Sequence, residues 1–345
     1  MREPDPTPPS ADPELARRAV HTATELNDGT ALIVGGCDVD GCSDATASVA
    51  LLAADGARSL TPLPAPRDAH TAVLLDDGRV LVAGGFTGEG QPPLVTTDLF
   101  EPGANRWQSG PTLRTGRGGH AAARLGDGRV LIAGGWVASQ TYASDTEIYD
   151  PRLDRFVSGP KIPAGADSLA ATSLSDGRVL LTGGQISAEV ATDAALLINP
   201  DGTARRVAGG LRTPRFKHAA VELRTGQVLI IGGTIDDRRI LTSTELFDPE
   251  TETFVEGPPL RSGRYKLSDA AVVLPDGRVV VAGSGQGVEV IDVASRTSTV
   301  AAGLADVSGS FSTASAVGDQ VWVLGGYDRQ IRMTSTDRRV LIADL

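Results

Sequence analysis

The sequence predicts an all-β fold in which seven short antiparallel sheets, or blades, are arranged radially as a β-propeller. Three observations carry this expectation. Glycine doublets close short apolar runs at Gly35-Gly36, Gly84-Gly85, Gly134-Gly135, Gly183-Gly184, Gly232-Gly233 and Gly325-Gly326, with a degenerate copy at Gly283-Ser284-Gly285. The first five doublets stand 49, 50, 49 and 49 residues apart. The text around them recurs as DDGRVLVAGG, GDGRVLIAGG, SDGRVLLTGG, PDGRVVVAGS and looser variants. A fixed period of this length marks a stacked or radial array, and it overrides the two-domain expectation that 345 residues would otherwise raise.

Each period parses into four strands, and the third shows the layout. His120 to Leu125 forms a short strand, Asp127-Gly128 a tight turn of the type I′ kind, and Arg129 to Gly135 a second strand. Val130, Leu131, Ile132 and Ala133 are continuously apolar, as expected of a strand covered on both faces. After a variable loop, Thr146-Glu147-Ile148-Tyr149 alternates as a half-buried strand. Asp150-Pro151 stops it, and Arg155-Phe156-Val157 opens the fourth. The same stop recurs at Glu101-Pro102, Asn199-Pro200 and Asp248-Pro249. Four such strands make one blade.

The last period runs out after Arg339 to Ala343, before a fourth strand. Because an open ring would leave an unpaired edge, the Pro-rich segment 1–14 is expected to supply it, with Thr7 to Ala11 as the outer strand of blade seven. Pro8 and Pro9 are tolerable on such an outer edge. The alternative is a processed linker and a three-stranded last blade. Residues 15–345 then form a single propeller domain.

Composition agrees and excludes other classes. Glycine and proline number 41 and 21, which suits a turn-rich chain, and 41% hydrophobic residues are too many for a solvated coil. No apolar run reaches the 18 or so residues of a membrane span. The first residues, MREPDPTPPSADPEL, hold no apolar run of a signal peptide. A net charge of −11 and a pI near 4.9 argue against nucleic acid as a partner.

The Arg-x-x-His sequence ahead of strand one, the glycine doublet, the aromatic-Asp-Pro turn and the aromatic opening strand four together resemble the kelch repeat. The chain is similar to kelch-repeat β-propellers, including bacterial kelch proteins and galactose oxidase-like propellers, over roughly residues 15 to 345. The resemblance implies a seven-bladed kelch-type propeller. Only Trp107 occupies the strand-four tryptophan position, with Phe156 and Phe254 standing in elsewhere, and repeats 1, 4, 6 and 7 lack parts of the motif.

All four histidines, His21, His70, His120 and His218, lie eight residues before a turn glycine, each with an arginine three residues earlier: Arg18, Arg67, Arg117 and Arg215. Repeat six is read as carrying Lys266 and Asp269 at the equivalent places. These side chains are expected at the mouth of the central channel, beside the variable loops where ligand contacts usually sit. The plainer reading makes them scaffold, hydrogen-bonded to loop carbonyls of the adjacent blade. The functional one makes the arginines an anion-binding mouth for a carboxylate-bearing ligand such as an acidic sugar. A metal site is disfavoured, because packed sheets stand about 10 Å apart and no His-x-His spacing brings imidazoles onto one ion. Phe86, Trp136 and Tyr327 each follow a doublet and are candidates for stacking on a sugar or peptide.

Some kelch relatives are copper radical oxidases, and others act on sialic acid or redirect reactive intermediates. The oxidase chemistry needs two tyrosines and two histidines on copper. Tyr142, Tyr149, Tyr265 and Tyr327 do not assemble into that set, and no catalytic residue or cofactor is assigned. Cys37 and Cys42 share one loop and no other cysteine exists, so a small disulfide is expected, and with it a periplasmic or extracellular location for a mature or trimmed chain. Asp38, Asp40 and Asp44 do not complete a calcium loop. The expected function is non-catalytic binding of a protein or glycan ligand by a monomer. The alternatives are an enzyme acting on a sugar or acidic small molecule at the channel mouth, and a structural module of a larger surface protein.

Overall fold

In a computed structural model of the protein, each of the first six repeats folds as a four-stranded antiparallel sheet. The model describes residues 17–138, 141–162, 166–188, 190–328 and 330–345. In blade three the strands are Ala121–Arg124, Val130–Ala133, Thr146–Asp150 and Arg155–Ser158, paired in that order. Their registers set Val130 opposite Arg124 on one side and opposite Tyr149 on the other. Blades one, two, four, five and six repeat the plan. Blade seven pairs Thr313–Val317, Gln320–Leu324 and Asp337–Leu341. The segment 1–14, expected to close this blade, lies outside the described residues.

The period-two side-chain alternation of the second strand builds the ring. Leu32 and Val34 point to blade two and pack with Val80, Val82 and Phe100. Ala31 and Ile33 point the other way and pack with Val317, Trp322 and Leu324 of blade seven. The same division produces an apolar core at each of the other five blade junctions. Each buried Leu, Val or Ile contributes about 1.5–3 kcal/mol, so a central strand apolar on both faces serves two junctions at once. Strand three meets strand four through aromatic pairs at Phe100–Trp107, Tyr149–Phe156 and Phe247–Phe254, with ring centroids 4.7, 5.3 and 4.8 Å apart. The inner strands touch in sequence around the axis, and Thr313–Val317 meets Thr22–Glu25, so the ring is closed.

The Asp-Gly turns differ in type from the expectation. Gly128 has φ +88°, but Asp127 is not left-handed, and Gly128 N–H donates to Leu125 O at 3.0 Å while Leu125 N–H donates to Arg129 O at 2.8 Å. This is a type I turn followed by a glycine bulge, which needs one left-handed residue instead of two. The aspartate has a different task. Its carboxylate accepts the N–H two residues on, at 3.0 Å for Asp77 and Arg79 and at 3.1 Å for Asp127 and Arg129.

Candidate functional site

The arginines of the Arg-x-x-His pattern are internal ties within their own blades. The guanidinium of Arg117, fully buried, donates to Gly134 O at 3.0 Å and Asp145 O at 3.2 Å and pairs with Glu147 at 3.1 Å. Arg215 repeats this with Gly232 O at 2.6 Å, Ser243 O at 3.1 Å and Glu245 at 2.7 Å. Arg67 uses Gly84 O, Thr96 O and Asp98, and Arg18 uses Ser48. Arg67, Arg117 and Arg215 thereby link the end of strand two to strand three with planar, charge-assisted hydrogen bonds. The backbone carbonyl of the same arginine faces the preceding blade: Gly85 N–H donates to Arg117 O at 2.9 Å, and Gly326 N–H to Arg18 O at 2.6 Å across the ring closure. A Cβ on Gly84 would stand 2.4 Å from Arg117 O, which is why this position is glycine.

Blade six corrects the sequence reading. Arg264, not Lys266, holds the arginine place: Gly233 N–H donates to its carbonyl at 2.7 Å, and its guanidinium pairs with Glu289 at 2.9 Å. Leu267, not Asp269, occupies the histidine place, packing against Gly283 as the histidines pack against the other doublets. The parallel between Arg215-Phe216-Lys217 and Arg264-Tyr265-Lys266 was visible in the sequence.

The histidines stitch neighbouring blades together. His21 Nε2 lies 2.8 Å from Thr313 Oγ1, His70 3.1 Å from Thr22, His120 2.8 Å from Thr71, and His218 2.9 Å from Thr182. Burial, reinforced by the adjacent arginine, drives His21, His120 and His218 down to about 3, and His70 well below its ordinary value. All four are neutral at physiological pH. Each sits at its own blade junction, and among the described residues no group of three His, Cys, Asp or Glu is placed to hold a metal ion.

Just before the histidine or its equivalent, every blade has one left-handed residue: Val20 (φ +57°), Ala69 (+47°), Gly119 (+67°), Ser168 (+53°), Lys217 (+55°), Lys266 (+58°) and Phe311 (+59°). Four backbone hydrogen bonds join neighbouring members around the axis. Gly119 N–H donates to Ala69 O at 2.8 Å, Ser168 to Gly119 at 3.2 Å, Lys217 to Ser168 at 2.9 Å, and Phe311 to Lys266 at 3.2 Å. Left-handed geometry costs an ordinary residue about 1–2 kcal/mol, and these hydrogen bonds offset it. The result is a collar around the channel mouth.

Inside the collar lies a cavity of about 420 Å³ with Phe86, Trp136, Asp167, Lys217, Asp269 and Phe311 among its walls. A second space of about 310 Å³ continues along the channel past Glu25. Asp269 lines both, and its carboxylate accepts Ala23 N–H at 3.2 Å. It is ringed by protein yet reachable by water within the channel, and that setting pushes its carboxyl up to about 6. Burial does the same to Asp68 and to Asp167, which accepts a hydrogen bond from Ser168 Oγ at 2.8 Å.

Of the aromatic candidates, Trp136 is 38% exposed at the mouth, edge-on to Tyr142 at 5.1 Å, whereas Tyr327 is nearly buried against Phe311 at 5.7 Å. Tyr149 lies in the core between blades two and three, away from the mouth. Of the two collar lysines, Lys217 lines the cavity. Lys217 Nζ pairs with Asp237 at 2.7 Å. Lys266 Nζ donates to Tyr327 Oη at 2.8 Å and lies 5.2, 5.6 and 4.9 Å from the ring centres of Tyr265, Phe311 and Tyr327.

Cys37 and Cys42 form the expected disulfide. Their loop reaches both neighbouring blades: Gly41 N–H donates to Ile331 O at 2.8 Å and Met333 N–H to Asp40 at 2.7 Å, while Glu89 N–H donates to Ser43 O at 2.8 Å. Cys37 also packs on Tyr327.

Seven antiparallel blades in a closed ring, six of them four-stranded and the seventh three-stranded among the described residues, with paired glycines ending six of the inner hairpins, define a seven-bladed β-propeller. The kelch motif matches residues 215–261, which span blade five from Arg215 onward. The chain therefore folds as a β-propeller and carries a kelch motif in blade five. Among solved structures it is similar to one titled "Structure of YjhT", with a TM-score of 0.65 and 15% identity over 85% of this chain and 98% of that one, a likeness of fold. No curated protein sequence matches it. No helix among the described residues is long and apolar enough to cross a membrane.

Proposed function

We propose that the protein is a non-catalytic binding module whose ligand presents an anionic group to the channel mouth. The observation that carries this reading is that Lys217, in the collar position next to that of Lys266, lines an aromatic-walled cavity of about 420 Å³. The source of positive charge differs from the arginine ring expected from the sequence, since each of those arginines already serves a backbone carbonyl or a carboxylate of its own blade. Trp136 and Phe86 provide flat surfaces for a sugar ring or a peptide side chain. A hydrogen bond to a charged group is worth about 1.5–3 kcal/mol. In calorimetric titration of acidic glycans and acidic peptides, the Lys217→Met/Lys266→Met double variant is therefore expected to bind an anionic ligand about ten- to a hundredfold more weakly. Binding unchanged by the double substitution would remove the reading.

A second reading, an enzyme acting on a sugar or acidic small molecule, is favoured by Asp269. A carboxyl pushed up to about 6 and facing channel water is suited to general base work. Turnover of any panel substrate that survives Asp269→Asn at the wild-type rate would exclude that role.

The disulfide supports an oxidising setting outside the cytosol. Protein isolated from its native compartment is expected to take up a thiol-alkylating reagent at Cys37 and Cys42 only after reduction, as read by intact mass. Alkylation without reductant would argue for a cytosolic chain.

A further inference from the structure

The chain has only three lysines, Lys161, Lys217 and Lys266, among 32 lysines and arginines. Where the fold needs a fixed buried charge it uses arginine, whose guanidinium never gives up its proton. Two of the three lysines nevertheless occupy the same collar position in adjacent blades. An amine there can do what a guanidinium cannot: lose a proton and attack.

Lys266 is the better placed of the two. Lys217 shares a partly exposed ion pair with Asp237, whereas among the described residues no carboxylate forms an ion pair with Lys266. Its Nζ is half-buried among the rings of Tyr265, Phe311 and Tyr327 and donates to the Tyr327 hydroxyl. Burial, followed by the nearby Lys217 charge, brings the ammonium down to about 8, with Asp237 opposing the shift. Burial also raises Tyr327, so its hydroxyl keeps its proton at neutral pH. Lys217, Asp237, Tyr265 and Tyr327 are the charged and titratable groups facing the amine.

We propose that Lys266 is a carbonyl-capturing amine, condensing reversibly with an aldehyde or ketone that enters the channel mouth. The Nζ lone pair forms the C–N bond, and the C=O π pair moves to oxygen, which takes up a proton. The nitrogen loses one proton to give the carbinolamine; its lone pair then expels the hydroxyl, which takes up a second proton and leaves as water, and loss of the remaining N–H proton leaves the imine. Amine and carbonyl compound give imine and water, with no change of oxidation state. Tyr327 Oη, 2.8 Å from Nζ, is placed to relay a proton from nitrogen to the carbinolamine oxygen, taking one up as it gives its own. Lys217 beside it favours carbonyl compounds that also carry a carboxylate. That preference, unlike the condensation itself, rests on the anion reading above.

The test is reductive trapping on the intact protein. Glycolaldehyde or glyoxylate is added with cyanoborohydride between pH 6 and 9, and the adducts at the three lysines are counted by peptide mass spectrometry. At pH 7.5 Lys266 is expected to be labelled about tenfold or more faster than the exposed Lys161, because each unit by which an amine is lowered raises its neutral fraction about tenfold. Glyoxylate is expected to label it faster than glycolaldehyde. Lys217→Met is expected to erase that difference while leaving glycolaldehyde labelling in place. Lys266→Arg is expected to keep anion binding and lose the channel-mouth adduct. Equal labelling of Lys266 and Lys161 by both aldehydes would overturn the proposal. Preferential labelling of Lys266 with no advantage for glyoxylate would support the condensation and count against the anion reading alone.

Discussion

Lowering the pH from 7 to 5 is expected to destabilise the protein steeply, by about 2 kcal/mol for each buried histidine. The sign follows from the direction of the shifts. His21, His120 and His218 sit near 3 in the fold against an ordinary value of 6.5, and His70 is lowered in the same sense. The unfolded chain therefore binds protons that the folded chain refuses. Stability is complete above 6.5 and is lost as pH falls toward the folded values. At pH 5 the loss depends only on the ordinary value, since the folded ones lie far below. The raised carboxyls oppose this. Asp68 and Asp167, near 6 in the fold, cost stability when ionised and return about 1 kcal/mol each by pH 5. Asp269 returns less, because channel water already solvates it. The balance is a loss of about 4–5 kcal/mol, or about 6 °C in melting temperature at the usual entropy per residue. Thermal scans at half-unit steps of pH check it, and His120→Gln is expected to flatten the slope. A melting temperature constant from pH 7 to pH 5 would show that the histidines are not held neutral.

Replacing Glu289 by alanine is expected to cost about 3–5 kcal/mol, lowering the melting temperature by about 4–7 °C. Both partners of the Arg264–Glu289 pair are wholly buried. The carboxylate accepts from Arg261 N–H at 2.7 Å, Ser262 N–H at 3.1 Å, Arg264 Nε at 3.1 Å and Ser298 Oγ at 3.1 Å. Its removal strands a guanidinium and leaves two backbone donors without a partner. Removing both charges is different: an Arg264→Met/Glu289→Met chain is expected to be more stable than Glu289→Ala, because no buried charge remains uncompensated. Chemical denaturation of the two variants decides the matter. A cost below about 1 kcal/mol for Glu289→Ala would mean that water reaches the pair.

The ring was legible because its punctuation is chemical. Doublets recur where a side chain would strike the next blade's carbonyl, and Asp-Gly recurs where a bulge needs one left-handed residue beside an acceptor. The arginines were legible as a pattern but not as a role. A sequence displays their charge without the carboxylate that answers it, and Asp98, Glu147 and Glu245 lie about thirty residues downstream in strand three. The collar was not legible at all. Val20, Ala69, Gly119, Ser168, Lys217, Lys266 and Phe311 share no side-chain chemistry. What they share is a left-handed backbone bend, and such a bend leaves no residue signature. Blade six shows the practical cost: with leucine where histidine was expected, the eye slips two residues and mistakes Lys266 for Arg264.

The Cys37–Cys42 bond closes a loop within blade one and does not cross to blade seven. Among the described residues, the junction between the first and last blades is held by non-covalent contacts: hydrogen bonds such as those of Gly41 to Ile331, Met333 to Asp40, Gly326 to Arg18 and His21 to Thr313, and the small cores around Trp322 and Tyr327. Under a pull between the first and last blades, this junction carries the load while the disulfide lies outside the path of tension. The ring should then part there first and peel outward blade by blade, with reducing agent altering the stiffness of the loop but not the place of rupture.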